Sequence, residues 1–182
     1  MTPLEHYTRV ADGFERTVSG VSDWQATTPC PEWDARTLAA HVVDVHHIFL
    51  SRLDGSEPTT LGPDADVPAA WQDARTQLEK ALTDHGDQEV DHFGSKAPFS
   101  EAVTTVVCAD TLLHTWDLAR ASGQDDTLDL AAVSKAHAFL APNGDMMRSP
   151  GGFGPEVTAP ADASPQDRLR GFTGRDPQPA TS

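Results

Sequence analysis

The amino-acid sequence predicts an all-α helical bundle, and two observations support that prediction. Five segments place apolar residues at steps of three and four, the spacing that puts them on one face of an α-helix. No segment shows the sustained alternation of apolar and polar residues that a convincing sheet requires. A length of 182 residues and a hydrophobic content of 38% suit a globular protein, so we assign residues 1–182 to a single domain.

The first two helices are predicted from their apolar stripes and end signals. Residues 3–20 carry one apolar face, and Gly20 is suited to end the helix. After a proline-containing loop, Asp34 is a suitable N-cap for a second helix that runs to about Leu53. The predicted core-facing residues are Leu4, Tyr7, Val10, Phe14 and Val18 on the first helix and Leu38, His41, Val45 and Ile48 on the second.

The third and fourth helices complete the predicted bundle. The third begins near Pro68, and the polar stretch 84–99 after it contains turn residues and a weak alternation that allows a short strand pair. Ser100 is predicted to cap the fourth helix, and Gly123 is predicted to end it.

The remaining chain is predicted to be a short helix and an irregular tail. Asp129 is a suitable cap for a fifth helix that ends near Pro142. The rest is rich in Gly and Pro, with one short helical turn at 165–172. We therefore predict a bundle over about 3–142 and a C-terminal extension over 143–182.

The overall charge and composition exclude several classes of function. A net charge of −15 with only 13 dispersed basic residues disfavours binding to nucleic acid or to an anionic membrane. The N-terminus carries charges throughout and has no signal-peptide core, and no run of about 18 apolar residues could span a membrane. Two cysteines form no secreted disulfide framework. We expect a cytoplasmic protein.

The fourth predicted helix carries the most informative pattern. One stripe of this helix has apolar residues at both ends and two polar side chains, Asp110 and His114, in its middle. Burial of an unpaired carboxylate costs several kcal/mol, so the stripe needs a partner for Asp110. A metal ion held by both side chains is one such partner, and an ion pair between them is the other. This helix alone does not decide between them.

A third donor lies on the second predicted helix, where His41 has apolar neighbours. Facing helices of a bundle build metal sites from inward side chains, and two His with one Asp leave a coordination position open, as in catalytic zinc sites. The same ligands suit Fe²⁺, Ni²⁺ or Mn²⁺. Asp44 and His47 form a competing ligand pair on a more polar face, and a satisfied core histidine is the simplest alternative for His41 and His114.

Three further residues are weaker candidates for the surroundings of the site. Cys30 precedes a helix N-terminus and could be a nucleophile, although a small buried loop residue is the simpler interpretation. Asp117 follows His114 by one turn and could orient it or take a proton, or it could be a solvated residue near Arg120. Trp33 can line a pocket or only pack.

We assign no catalytic residue, and we expect Cys108 and Trp116 in the core and His6, His85, His92 and His137 at the surface.

Two segments of the sequence resemble a known family. TPCPEWDARTLAAHVVD and DTLLHTWDLARASGQD are similar to the two signature segments of actinobacterial proteins related to mycothiol-dependent maleylpyruvate isomerase, within the DinB-like (damage-inducible, YfiT-type) metalloenzyme superfamily. The tail FGPEVTAPADASPQDRLRGFTGRDP resembles the end of a subfamily of short members.

The resemblance implies a DinB-like four-helix bundle that holds a divalent metal, usually zinc, through His41, Asp110 and His114. It also implies mycothiol as co-substrate. The isomerase has Glu at the position of Asp110 and an additional C-terminal domain that contributes to its active site. We expect no such domain in a chain of this length, so maleylpyruvate isomerisation itself is not expected here.

The resulting functional hypothesis is a mycothiol-dependent enzyme, a thiol S-transferase or isomerase of a small electrophilic substrate, in which the metal activates the thiolate. A hydrolase that uses metal-bound hydroxide is the alternative among enzymes, and a metal-binding or small-ligand-binding module without catalysis is the alternative among other classes. The expected partners are a small-molecule substrate and a low-molecular-weight thiol, and the formation of a homodimer is possible.

Overall fold

The structure is a computed structural model that describes residues 1–31, 33–148 and 152–176. Residues 149–151 and 177–182 of the expected C-terminal extension lie outside the described residues, as does residue 32. The helices are α1 (Pro3–Ser19), α2 (Ala35–Ser51), α3 (Val67–His85), α4 (Phe99–Ala102), α5 (Cys108–Ala121), α6 (Leu130–Leu140), α7 (Gly144–Met147) and α8 (Pro165–Phe172). A π-helical segment (Val103–Val107) joins α4 to α5, and a 3₁₀ turn (Ala141–Asn143) joins α6 to α7.

Four long helices form the bundle and confirm the predicted all-α class. Helix α1 packs against α3 and α5, and α2 packs against the same two helices, so the four enclose one apolar core. The edge-to-face pair of Phe14 on α1 and Trp71 on α3, with ring centroids 4.6 Å apart, lies in that core. The assignment of the whole chain to one domain stays a prediction.

The predicted helix starts are largely confirmed by side-chain caps. Asp34 accepts a hydrogen bond from the backbone N–H of Thr37, and Asp129 accepts one from Ala132. The expected strand pair is a small antiparallel hairpin, β1 (Glu89–His92) and β2 (Ser95–Pro98).

The predicted apolar stripe of α2 was shifted by about one residue. The buried face of α2 contains Leu38, Val42, His46 and Phe49, whereas Ile48 of the predicted stripe is 39% exposed. Because the shift turns His41 toward the rim of the core, its side chain is only partly buried. This position gives it access both to α5 and to solvent.

The predicted start of the fourth helix was wrong. The helical segment begins at Phe99, with Pro98 at the cap position and no side-chain cap, so Ser100 lies inside the first turn. The hydroxyl of Thr104 donates to the carbonyl of Ser100 at 2.8 Å, and that of Thr105 donates to the carbonyl of Glu101 at 2.7 Å. These side-chain hydrogen bonds compete with the regular backbone hydrogen bonds of an α-helix, and the π-helical segment follows from that competition. Gly123 adopts φ +66°, as expected for a residue that follows a helix end.

The C-terminal extension packs back onto the bundle. Helix α8 lies against α6, and its Leu169 is fully buried in the core. The predicted helical turn at 165–172 is thus a two-turn helix that docks the tail. In the part of the chain that the structure describes, no helix has both the length and the apolar character of a membrane span.

Candidate metal centre

The structure brings His41, Asp110 and His114 together where α2 meets α5. Nε2 of His41 lies 3.1 Å from Oδ1 of Asp110, and Nε2 of His114 lies 3.5 Å from the same oxygen. One ligand atom from each of the three residues lies within 4.8 Å of those of the others. The side chain of His41 is 33% exposed and that of His114 only 10%, so the cluster opens toward solvent on the α2 side.

His114 is held from its other ring nitrogen. Nδ1 of His114 lies 2.9 Å from Oδ2 of Asp117, one turn further along α5. Since an ionised carboxylate only accepts hydrogen bonds, Nδ1–H is the donor. This contact orients the ring so that Nε2 faces Asp110, an arrangement typical of metal-ligating histidines and their outer partners.

Asp117 is itself completely buried and is surrounded by donors. Arg175 from the C-terminal extension donates through Nε to Oδ1 at 2.7 Å and through Nη2 to Oδ2 at 2.5 Å. The thiol of Cys30, in the loop before α2, donates to Oδ2 across 3.3 Å. The interpretation of Asp117 as a solvated residue near Arg120 was therefore wrong.

The protonation states follow from this network. Burial raises the pKa of Asp110, but the charge of His114 and hydrogen bonds from His114 and His41 outweigh it and hold the pKa well below its usual range. Burial lowers the pKa of His114, whereas Asp110, Asp117 and Cys30 raise it well above its usual value. For Asp117, burial raises the pKa, and Arg175 with His114 brings it down to about 2. Both carboxylates are therefore ionised at neutral pH.

Trp33 packs against the two imidazole rings of the cluster. Its ring centroid lies 4.8 Å from that of His41 and 5.8 Å from that of His114. Because Trp33 is only half-buried, it forms a wall between the cluster and solvent. Trp33 therefore packs directly against two of the three candidate ligands.

The described residues contain a second group with metal-ligand character, formed by Cys30, His114 and Asp117. Its anionic oxygens are already held by the guanidinium of Arg175, whose Nη2 also lies 3.7 Å from Sγ of Cys30. A cation therefore occupies this position in the form of an arginine. This contact favours the group His41, Asp110 and His114 as the metal site.

The first group fits a divalent ion by two criteria. Two ligands at about 2.1 Å from a tetrahedral zinc ion lie roughly 3.4 Å apart, close to the 3.1 and 3.5 Å between Oδ1 of Asp110 and the two Nε2 atoms. In addition, Oδ2 of Asp110 is buried and has no hydrogen-bond partner among the described residues. An orphaned buried carboxylate oxygen is costly, and a cation would satisfy it.

The competing pair Asp44 and His47 has another role in the structure. Asp44 accepts a hydrogen bond from the backbone N–H of Leu61, and Nδ1 of His47 lies 3.0 Å from the carbonyl oxygen of Thr59. Both side chains anchor the loop between α2 and α3. Neither belongs to the ligand groups found among the described residues.

Several other histidine and core assignments can be compared with the structure. His85 and His137 are exposed and Cys108 is buried, as expected, whereas His92 is half-buried. The expectation that His6 lies at the surface was wrong, because α1 turns it into the interior.

Sequence reasoning missed Arg175, and it overlooked the burial of His46. Nδ1–H of His46 donates to the carbonyl of Val42, and Nε2 accepts from the hydroxyl of Tyr7. The apolar residues around His46 on α2 were a usable signal, whereas Arg175 lies in an irregular segment without periodicity.

Comparison with known proteins gives a family and two relatives. Residues 7–119 match the family described as the mycothiol maleylpyruvate isomerase N-terminal domain. The chain is also 34% identical over 185 aligned residues to uncharacterized proteins of two Mycobacterium tuberculosis strains, CDC 1551 and H37Rv, covering 96% of this chain and 98% of each relative. No solved structure matches the chain.

Proposed function

This chain belongs to the mycothiol maleylpyruvate isomerase N-terminal domain family, and on that premise we propose that it binds one divalent metal ion and acts on the thiol group of mycothiol. The reaction class is thiol transfer to, or isomerisation of, a small electrophilic molecule. Zinc is the metal that we expect, because two imidazoles and one carboxylate are one of the recurrent ligand sets of catalytic zinc.

The observation that supports this proposal best is the carboxylate of Asp110, whose Oδ1 lies between two imidazoles and whose buried Oδ2 has no hydrogen-bond partner among the described residues. A carboxylate with an unpartnered buried oxygen, flanked by two Nε2 atoms, needs a cation for its full stabilisation. A bound divalent ion would supply the Lewis acidity that lowers the pKa of a thiol in the open position.

The other residues of the cluster determine how a thiol would be received. Asp117 keeps Nε2 of His114 available, and the exposed edge of His41 leaves an approach from solvent. Trp33 offers an apolar face beside that approach, where part of the bound molecule can pack. The thiol of Cys30 donates its hydrogen to Asp117, so we assign it no covalent step in this reaction.

The test is a thiol-consumption assay with the zinc-loaded protein, mycothiol and a panel of electrophiles that contains α,β-unsaturated acids, epoxides and alkyl halides. We expect consumption of thiol or isomerisation of the electrophile that requires both the metal and mycothiol. Chelator-treated protein and the His114→Ala variant are expected to lose this activity, because they remove the ion or one of its ligands.

The alternative functions are separate outcomes of the same assay. If the electrophile is hydrolysed in a metal-dependent reaction that proceeds equally well without mycothiol, the protein is a hydrolase and the proposed use of the thiol is contradicted. Metal binding with no turnover across the panel would contradict an enzymatic role and favour a binding module.

A further inference from the structure

Arg175 lies far from the metal ligands in sequence but is built into their surroundings. It is 58 residues from Asp117 along the chain, and its side chain is only 10% exposed. Both of its hydrogen bonds to Asp117 are charge-assisted and run in parallel, in the bidentate geometry that fixes a carboxylate plane. Arginine makes this contact better than lysine, because its donors form a rigid fork.

The backbone that carries Arg175 is fixed by the end of α8. The N–H of Arg175 donates to the carbonyl of Arg170 and that of Gly174 to the carbonyl of Gly171, which is the Schellman pattern of a helix C-terminus. Gly174 has φ +81°, and a Cβ there would lie 2.8 Å from the backbone of Gly154. The position of Arg175 is therefore determined by a docked helix and a glycine with little room for a side chain.

The fork of Arg175 also determines what Asp117 can do for His114. Oδ1 of Asp117 accepts from Nε of Arg175, while Oδ2 is shared by Nη2 of Arg175, Nδ1 of His114 and the thiol of Cys30. Without the guanidinium, the carboxylate would lose its only bidentate contact among these and could rotate away from the imidazole. If Asp117 rotated away, the ring of His114 would lose its hydrogen bond at Nδ1 and would be free to turn.

We propose that Arg175 is a positioning residue of the metal centre, which acts through Asp117 to hold Nε2 of His114 toward the ion. Docking of the C-terminal extension thereby completes the metal site of the bundle. The inference rests on the proposed function, because it concerns the same ion.

The test is a double-mutant cycle on zinc affinity, measured by competition with a chromophoric chelator. Loss of an outer partner typically weakens metal binding about 10- to 100-fold, so we expect Arg175→Gln to weaken zinc binding roughly 10-fold, and Arg175→Lys to lie between it and the wild type. In an Asp117→Asn background, Arg175→Gln is expected to change the affinity by less than about 3-fold, because the path to His114 is already broken.

A second readout and a matched control separate positioning from general damage. The visible spectrum of the Co²⁺-loaded protein reports ligand geometry, and we expect it to change in Arg175→Gln. Arg168→Gln removes an arginine of α8, the helix that precedes Arg175, whose guanidinium donates to the tail carbonyls of Ala163 and Ala161. This variant is expected to bind zinc as the wild type does. The double variant Asp117→Asn/Arg175→Gln leaves no buried charge unpaired, so it remains measurable if Arg175→Gln alone unfolds.

Failure of this inference is distinct from failure of the proposed function. Wild-type zinc affinity and an unchanged cobalt spectrum in Arg175→Gln would overturn the inference and leave the metal site intact. An equal loss of affinity from Arg175→Gln in both backgrounds would also overturn it. Absence of zinc binding in the wild type would overturn the proposed function.

Discussion

The two ring nitrogens of His114 show how one side chain connects the bundle to its C-terminal extension. Nε2 faces Asp110 and His41, while Nδ1 binds Asp117, which in turn holds Arg175. Because an imidazole has only two polar atoms, these two contacts together determine the orientation of the ring. His114 is thus the residue through which changes in the tail can reach the metal site.

A second histidine, His46, leads to a prediction about stability and pH. Burial lowers the pKa of His46 to about 4 in the folded state, against 6.5 for an unperturbed histidine. Between these values the unfolded chain takes up a proton that the folded protein does not, so stability falls as the pH drops from about 6.5 to 4. The loss from this residue is about 3 kcal/mol, at about 1.36 kcal/mol for each unit of pKa shift.

Urea unfolding between pH 4.5 and 7 tests this prediction. The slope of the unfolding free energy against pH should flatten in His46→Gln, although that variant also loses the hydrogen bonds to Val42 and Tyr7. His85→Gln, which removes an exposed histidine, should leave the slope unchanged. His6 contributes in the same pH window, because burial also lowers its pKa to about 4. An identical slope in His46→Gln and the wild type would contradict the assignment of a buried neutral His46.

Helical periodicity could identify some of these residues and not others. His41, Asp110 and His114 could be proposed as candidates because the spacing of residues along a helix is a local property, and Asp110 with His114 required only one turn. The contact of Asp117 with Arg175 could not be predicted in this way, since it depends on how an irregular tail folds back. The exposure of His41 was also missed, because a stripe shifted by one residue on α2 turns the ring by about 100°.

Among the elements, α2 positions His41, and its start is set by one cap. Oδ1 of Asp34 accepts the backbone N–H of Thr37 at 2.8 Å, and Asp34 also pairs with Thr27 in an isolated β-bridge that closes the preceding loop. That loop carries Cys30 and Trp33. The cap therefore orders both the helix that bears a ligand and the loop that covers the site.

Replacement of this cap gives a prediction at the scale of the helix. Asp34→Ala is expected to lower the free energy of unfolding by about 1 kcal/mol, because the N–H of Thr37 loses its acceptor. Asp34→Asn retains a side-chain oxygen and should stay within a few tenths of a kcal/mol of the wild type, so it serves as the matched control. Chemical denaturation measures both variants. Equal stability of Asp34→Ala and the wild type would show that the cap does not stabilise α2.

The π-helical segment before α5 marks the limit of prediction for an element. The sequence between Ser100 and Gly123 has the spacing of one regular helix. The predicted stripe is buried at its apolar ends and at His114, whereas the side chain of Asp110 is 21% exposed. The wide turn arises from hydroxyls of Thr104 and Thr105 that bind carbonyls of the preceding turn. Such competition depends on side-chain rotamers, which periodicity does not report. π-Helical turns are frequent at functional sites, and this one directly precedes the turn that bears Asp110.

For the whole molecule, the candidate ion would link two helices that already contact each other at this site through the polar pair His41 and Asp110. His41 belongs to α2, whereas Asp110 and His114 belong to α5, so one ion would join two helices of the bundle. The C-terminal extension would join the same site through Arg175. The fold class could be predicted from five helical patterns, but the docking of the tail could not, because Gly- and Pro-rich segments carry no periodic signal.

The central claim is that His41, Asp110 and His114 hold a divalent ion, and the most direct test is the zinc content of the purified protein after loading and desalting. We expect about one zinc per chain in the wild type and in Asp44→Asn, a control on the same helix as His41 that removes a carboxylate outside the site. His41→Ala and His114→Ala are expected to lose most of the zinc, because each leaves only two protein ligands. Full zinc content in both histidine variants would contradict the claim.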